Sequence, residues 1–266
     1  MPGVQSEALA LTKWYVDCCD ASGRTVIGYW ASLSWRGLVL TWHSVTLFQS
    51  GRSVSQRSSL ARVPAPAIQA GEIAWQAPAL RCAIRAEIRQ PPFGARLLET
   101  EEGAVDWRCE APVALVAVEL DGRPPIRGPG YAERIVLTVL PWRLPIRELR
   151  WGRWLDHDAR RSVVWIDWRG PPARTWVFVD GAQVPGAKVT DRGVAVDGLS
   201  LSLDRRWTLE AHRPGEIVRS IPPLKAVVPA SILALDGTKW CSSGRLREGG
   251  FAPLAGQAIH ELVMFA

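Results

Sequence analysis

The chain is poor in several residues and motifs that commonly declare a function. Its 266 residues include only five phenylalanines, three tyrosines and two methionines, and its five cysteines contain no C-x-x-C. An odd cysteine count without metal-ligand spacing argues against a zinc site or a disulfide framework and fits a reducing compartment. Most of Cys18, Cys19, Cys82, Cys109 and Cys241 are therefore expected to be small core residues. No run of eighteen apolar residues occurs, and the first fifteen residues lack the basic and apolar segments of a secretory signal. These absences predict a soluble, cytoplasmic protein with no stable membrane insertion. P-loop, nucleophile-elbow and H-E-x-x-H motifs are missing, and Gly128-Pro129-Gly130 does not extend to a dinucleotide fingerprint. Neither a cofactor nor a metal is expected.

Positive charge is in excess, with a formal net charge of +6 carried mostly by arginine. Such a balance raises the question of a nucleic-acid partner. The distribution argues against one, because Arg81, Arg85 and Arg89 alternate with Leu80, Cys82, Ile84, Ala86 and Ile88. That alternation describes a strand with one wet face, not a phosphate-binding stripe. A weak attraction for an anionic ligand is compatible with the charge.

Helical periodicity is also scarce. Short apolar or alternating segments recur between turn signals such as Asp20-Ala21-Ser22-Gly23, Asp121-Gly122, Asp180-Gly181 and Asp197-Gly198. The pattern predicts an all-β chain of antiparallel barrels or sandwiches. Asp20 to Trp30 can be laid against Asp156 to Trp168 with one gap, each a turn feeding an aromatic strand. This echo suggests two related β domains in tandem, 1–125 and 126–266. The Ser-, Arg-, Pro- and Ala-rich stretch from Gly51 to Ala70 reads as a mobile loop or lid, or as a partly ordered excursion.

Tryptophan is abundant, with fourteen residues. Trp suits a half-buried strand and fills large β cores, yet it is also the best ring for stabilising a cation over its face. Trp30, Trp42, Trp142, Trp151, Trp154 and Trp165 are candidates for lining an apolar ligand cavity. In the stretch Gly128 to Leu140, the strand period puts Tyr131, Glu133, Ile135, Leu137 and Val139 on one face. If this face looks into a cavity, Glu133 is a candidate proton donor with Tyr131 to orient it. The alternatives are that the strand lies the other way round, or that Glu133 is structurally paired with an Arg. Among the four histidines, His43 shares its strand face with Val39, Thr41, Val45 and Leu47 and is the best candidate for an inward-pointing base. His260 and Glu261, as strand neighbours, point to opposite faces.

Two segments carry a family resemblance. Lys13-Trp14-Tyr15-Val16-Asp17 resembles the E-W-W-Y-F-D opening of the lipocalin-like hydroxyneurosporene synthase (carotenoid 1,2-hydratase) superfamily, and Gly128-x-Gly130-Tyr131-x-Glu133 resembles its G-x-G-Y-x-D-H-N-W-G. The family's Asp is Glu133 here, and its His-Asn-Trp-Gly is Arg134-Ile135-Val136-Leu137. The superfamily includes carotenoid and kievitone hydratases, decalin-forming pericyclases and proteins thought to carry lipids. The resemblance implies two lipocalin-like β domains in tandem and a role for Tyr131 and Glu133. It points to a cofactor-independent hydratase, cyclase or isomerase acting on a sizeable hydrophobic isoprenoid or polyketide. Two other classes compete with this enzyme: a non-catalytic carrier of a hydrophobic small molecule, and an interaction module whose Trp clusters are structural. Oligomeric state is not legible.

Overall fold

The computed structural model describes residues 9–212 and 235–265. The chain divides into two compact units, the first ending at Leu140 and the second beginning at Pro141. The first contains β1 (Ala10–Cys19), β2 (Arg24–Trp35), β3 (Leu38–Gln49), β4 (Arg52–Ser59), β5 (Ala67–Gln69), β6 (Glu72–Ala77), β7 (Cys82–Ile88), β8 (Phe93–Thr100), β9 (Gly103–Leu120) and β10 (Ile126–Leu137). The second contains β11 (Glu148–Asp156), β12 (Ser162–Arg169), β13 (Arg174–Val179), β14 (Ala182–Gln183), β15 (Lys188–Thr190), β16 (Gly193–Val196), β17 (Leu199–His212), β18 (Asp236–Glu248) and β19 (Leu254–Met264). Each unit is one curled antiparallel sheet, giving two lipocalin-like β domains in tandem.

The two sheets share a topology. In the first the order is β4-β3-β2-β1-β10-β9-β7-β6-β5, with β8 added on β9; in the second it is β14-β13-β12-β11-β19-β18-β17-β16-β15. In both, an opening meander is joined through its first strand to the last strand of a closing meander. β10 pairs with β1 and β9 and so lies in the first sheet, although a boundary after residue 125 would assign it to the second domain. The echo between Asp20 and Asp156 falls on equivalent hairpins, β1–β2 and β11–β12. Asp20 Oδ1 accepts from the backbone N–H of Ser22 at 3.0 Å and of Arg24 at 2.8 Å. Asp156 Oδ1 accepts from those of Arg160 and Arg161, both at 2.7 Å. The second turn is one residue longer, closed by Asp156 N to Arg161 O where the first is closed by Asp20 N to Arg24 O.

Indole rings fill both sheet interiors. In the first unit the core runs through Trp14, Val16, Trp30, Val45, Trp75 and Ala132. Gly28 makes room for it: a Cβ there would sit 3.2 Å from Trp75 Cζ3 and 3.1 Å from Ile84 Cδ1. In the second unit Trp165 lies over Gly152, where a Cβ would come within 2.2 Å of its ring, and Trp154 lies over Gly244 and Gly256. Each such ring, buried, contributes roughly 4–6 kcal/mol of apolar transfer free energy. The five cysteines are buried and form no disulfide with one another.

The stretch from Gly51 to Ala70 is largely not a loop. It forms β4 and β5, and the Arg57 guanidinium of β4 donates to Leu80 O at 2.9 Å, fastening that edge to the turn before β7. Between the two strands, Trp30 Nε1 donates to Val63 O at 3.1 Å, which anchors the connection to the core. The Ser- and Arg-rich composition reflects the exposure of an edge strand.

Candidate active site

The two segments that carry the resemblance meet across one strand pair. In the antiparallel β1–β10 ladder, Tyr15 stands opposite Glu133 and Asp17 opposite Tyr131. Their side chains share the sheet face opposite the apolar core, because Trp14, Val16 and Ala132, the alternating neighbours, belong to that core. Of the two orientations left open by the sequence, the Glu133 face therefore looks away from the interior. It is buried nonetheless: Tyr131 is 0%, Asp17 1% and Tyr15 3% exposed, with Glu133 intermediate.

Each tyrosine is bonded to the acid two residues along its own strand. Tyr15 donates to Asp17 Oδ2 at 2.9 Å, and Tyr131 donates to Glu133 Oε2 at 2.8 Å. Trp107 Nε1 on β9 donates to the same Glu133 oxygen at 2.6 Å. Two donors on Oε2 fix the plane of the carboxyl group. Cys109, opposite Glu133 on β9, completes the cluster. Burial, reinforced by the neighbouring Cys109 and Glu133, holds the Tyr131 phenol well above its ordinary pKa, and burial does the same to the Cys109 thiol. Both stay protonated at neutral pH, so Tyr131 acts as a donor toward Glu133. An aromatic row crosses the same face, with ring centres 6.2 Å apart for Trp42 and Tyr29, 5.4 Å for Tyr29 and Tyr15, and 6.2 Å for Tyr15 and Tyr131.

The structure brings Tyr131 and Glu133 together and puts His43 elsewhere. His43 pairs with Trp30 and points into the first core, fully buried, its ring edge-on to Trp75 with centres 6.2 Å apart. Burial lowers its pKa, so at neutral pH it is an uncharged core imidazole on the opposite face from Glu133. Of the six tryptophans, Trp30, Trp154 and Trp165 belong to the cores. Trp42 is half-buried on the Glu133 face, Trp142 sits in the short 3-10 turn Pro141–Arg143, and Trp151 lies on β11 opposite Glu261. His260 and Glu261 do point to opposite faces: His260 stacks among Trp165 and Trp240, and Glu261 pairs with Lys239. Sequence reasoning missed Tyr15, Asp17 and Trp107. The signal for the first two is a repeated pattern, Tyr-x-acid, in Tyr15-Val16-Asp17 and again in Tyr131-Ala132-Glu133. Nothing local marks Trp107.

Comparison with solved structures follows the same outline. A protein of Nitrosomonas europaea assigned to the AttH type superposes with a TM-score of 0.58 at 11% identity, covering 96% of this chain and 92% of its own. Kievitone hydratase from Nectria haematococca gives 0.54 at 7% identity, with 96% and 89% covered. CghA, solved with Sch210972, gives 0.53 at 9% identity, with 98% and 89% covered. This chain shares their fold. No family model and no curated protein matches it in sequence. Among the described residues no group of three or more His, Cys, Asp or Glu could hold a metal, and no helix is long and apolar enough to cross a membrane.

Proposed function

We propose that the chain is a cofactor-independent hydratase, cyclase or isomerase acting on a sizeable hydrophobic isoprenoid or polyketide, with Glu133 as its acid. One observation carries this reading: the two Tyr-x-acid segments resembling the hydratase superfamily face one another in register, and the Glu133 carboxyl group is held by a phenol and an indole N–H. Protonation of an alkene carbon by Glu133 leaves a cation on the adjacent carbon. An aromatic face such as Trp42 stabilises that cation until water adds, a neighbouring double bond attacks, or a proton is lost. These three fates are hydration, cyclisation and isomerisation. The fold shared with kievitone hydratase supports the reaction class.

A carrier that stores its ligand along a barrel axis is less well supported, because indole rings occupy the space over Gly28, Gly152, Gly244 and Gly256. The test is incubation of the full chain with a panel of isoprenoid and polyketide alkenes in deuterium oxide. A product carrying one carbon-bound deuterium, formed without added cofactor, supports the acid mechanism. Saturable binding of those alkenes with no product would favour the carrier.

A further inference from the structure

Behind Glu133, on the other face of the same strands, lies a second polar site. β8, the first half of β9 and the last part of β10 form a three-stranded platform with a groove of about 320 Å3, lined chiefly by Gly94, Arg96, Asp106, Arg108, Arg134 and Val136. Arg108 and Arg134 are directly opposed in the ladder, a placement that like charges resist unless something compensates. The compensation is Glu110, whose side chain is 3% exposed: Oε2 accepts from Arg108 Nε at 3.0 Å and Oε1 from Arg134 Nε at 3.1 Å. Arg134 is further steadied by the Trp14 ring, 5.7 Å below its guanidinium carbon.

Two guanidinium groups on one carboxylate leave one positive charge over. Each guanidinium has five N–H donors, more than Glu110 takes up, and the two side chains remain 51% and 40% exposed. Arg96 differs, since its Nε and a terminal N–H are taken by Asp106 at 2.8 and 3.3 Å and another by Glu99 at 2.9 Å. That end of the groove holds one guanidinium and two carboxylates, so the surplus positive charge is confined to Arg108 and Arg134. Gly94 lets β8 lie close, because a Cβ there would fall 2.6 Å from Trp107 O and 3.2 Å from Arg108 Cα. The groove thus has a low floor, an apolar flank at Val136 and two oriented guanidinium forks with surplus charge.

We propose that this groove binds an oxyanion, the carboxylate or phosphate group of a small molecule, on Arg108 and Arg134, independently of the chemistry at Glu133. Planar guanidinium forks match both groups.

Isothermal titration and thermal melts of the full chain against sodium benzoate and inorganic phosphate, with benzyl alcohol as the neutral control and ionic strength held constant, test the proposal. Saturable binding and a raised Tm are expected for at least one anion and not for the alcohol. Tighter binding of benzoate assigns the site to organic carboxylates; tighter binding of phosphate assigns it to phosphate groups. Arg108→Gln and Arg134→Gln should each weaken binding by roughly tenfold or more. Arg134→Lys, which keeps the charge but loses the fork, should weaken it too and covers the case in which a Gln variant fails to fold. Arg85→Gln, on the wet face of β7, should leave it unchanged. Absence of saturable binding for both anions, or equal affinity in the Arg108 and Arg134 variants, overturns the proposal.

Discussion

Glu133 and Glu261 occupy equivalent places in the two units, each on the closing strand and each directly opposite an aromatic residue of the opening strand, Tyr15 in one case and Trp151 in the other. Their partners differ. Glu133 accepts from a phenol and an indole, whereas Glu261 accepts from Lys239 Nζ at 2.6 Å, and that ammonium also lies 5.1 Å from the Trp151 ring centre. Lys239 is 1% exposed. The same position on one fold therefore holds a carboxyl group bonded to a phenol and an indole in the first unit and a buried ion pair in the second.

Lys239→Met should expose this difference. Removing one partner of a buried pair strands the other charge and costs roughly 3–5 kcal/mol. A large drop in Tm is expected, with turnover per folded molecule retained. A stable variant that has lost turnover would instead assign Lys239 to the chemistry.

Tyr131→Phe removes one of the two donors on Glu133 Oε2 and leaves its ring in place. As Glu133 gives up its proton the bond becomes one to a carboxylate, worth roughly 1.5–3 kcal/mol, so turnover should fall by about ten- to a hundredfold, with a modest loss of stability. Unchanged turnover would show that the Tyr131 hydroxyl is not needed to position the carboxyl group.

Much of the fold is legible in the sequence because most strands alternate, as in β7, where Cys82, Ile84 and Ala86 are buried while Arg85 and Glu87 are exposed. β11 and β18 are harder to read. Their second face is also buried and carries Arg153 and Lys239, each 1% exposed, so charge no longer marks the wet side. The same double burial hides the direction of the Glu133 face. The Tyr131-x-Glu133 pair is visible as an i, i+2 pattern on one strand, but its juxtaposition with Tyr15 and Asp17 depends on the β1–β10 register, which closes the sheet between the two ends of the first unit. His43 was readable as inward-pointing; that inward means the core and not the acid could not be read, since the two faces of the sheet serve different purposes.

Gly256→Ala tests how tightly the second interior is filled. Alanine is ordinarily better than glycine within a strand by roughly 0.5–1 kcal/mol. Here the new Cβ would fall 2.1 Å from Leu155 O and 2.6 Å from Trp154 Cε2. Overpacking of about 1–3 kcal/mol should win, and the urea midpoint should fall. A midpoint that rises would mean that Trp154 has room to move.

Acid should destabilise the fold through its buried histidines. His260, hydrogen-bonded to Ser242 Oγ at 2.8 Å, is pushed down to about 3 by burial and then by the charges of Arg205 and Lys239. An unfolded histidine titrates near 6.5. Between those values the unfolded chain takes up a proton that the folded chain refuses, so stability falls as pH falls from about 6.5 to about 3, approaching roughly 1.4 kcal/mol per pH unit for this residue. His43, also lowered by burial, acts in the same direction. Urea midpoints across this range should decline, and His260→Gln should flatten the slope; an equal slope in the variant would contradict the assignment.

The central claim is that Glu133 transfers a proton, and Glu133→Gln tests it most directly. The amide keeps the size and can still accept from Tyr131 and Trp107, but it has no acidic proton. Turnover of an alkene substrate found in the deuterium screen should fall by roughly 10²- to 10⁴-fold, while ligand affinity, followed by tryptophan fluorescence, and Tm stay close to wild type. A variant that loses several kcal/mol of stability and keeps its turnover per folded molecule would show that Glu133 holds the sheet together and does no chemistry.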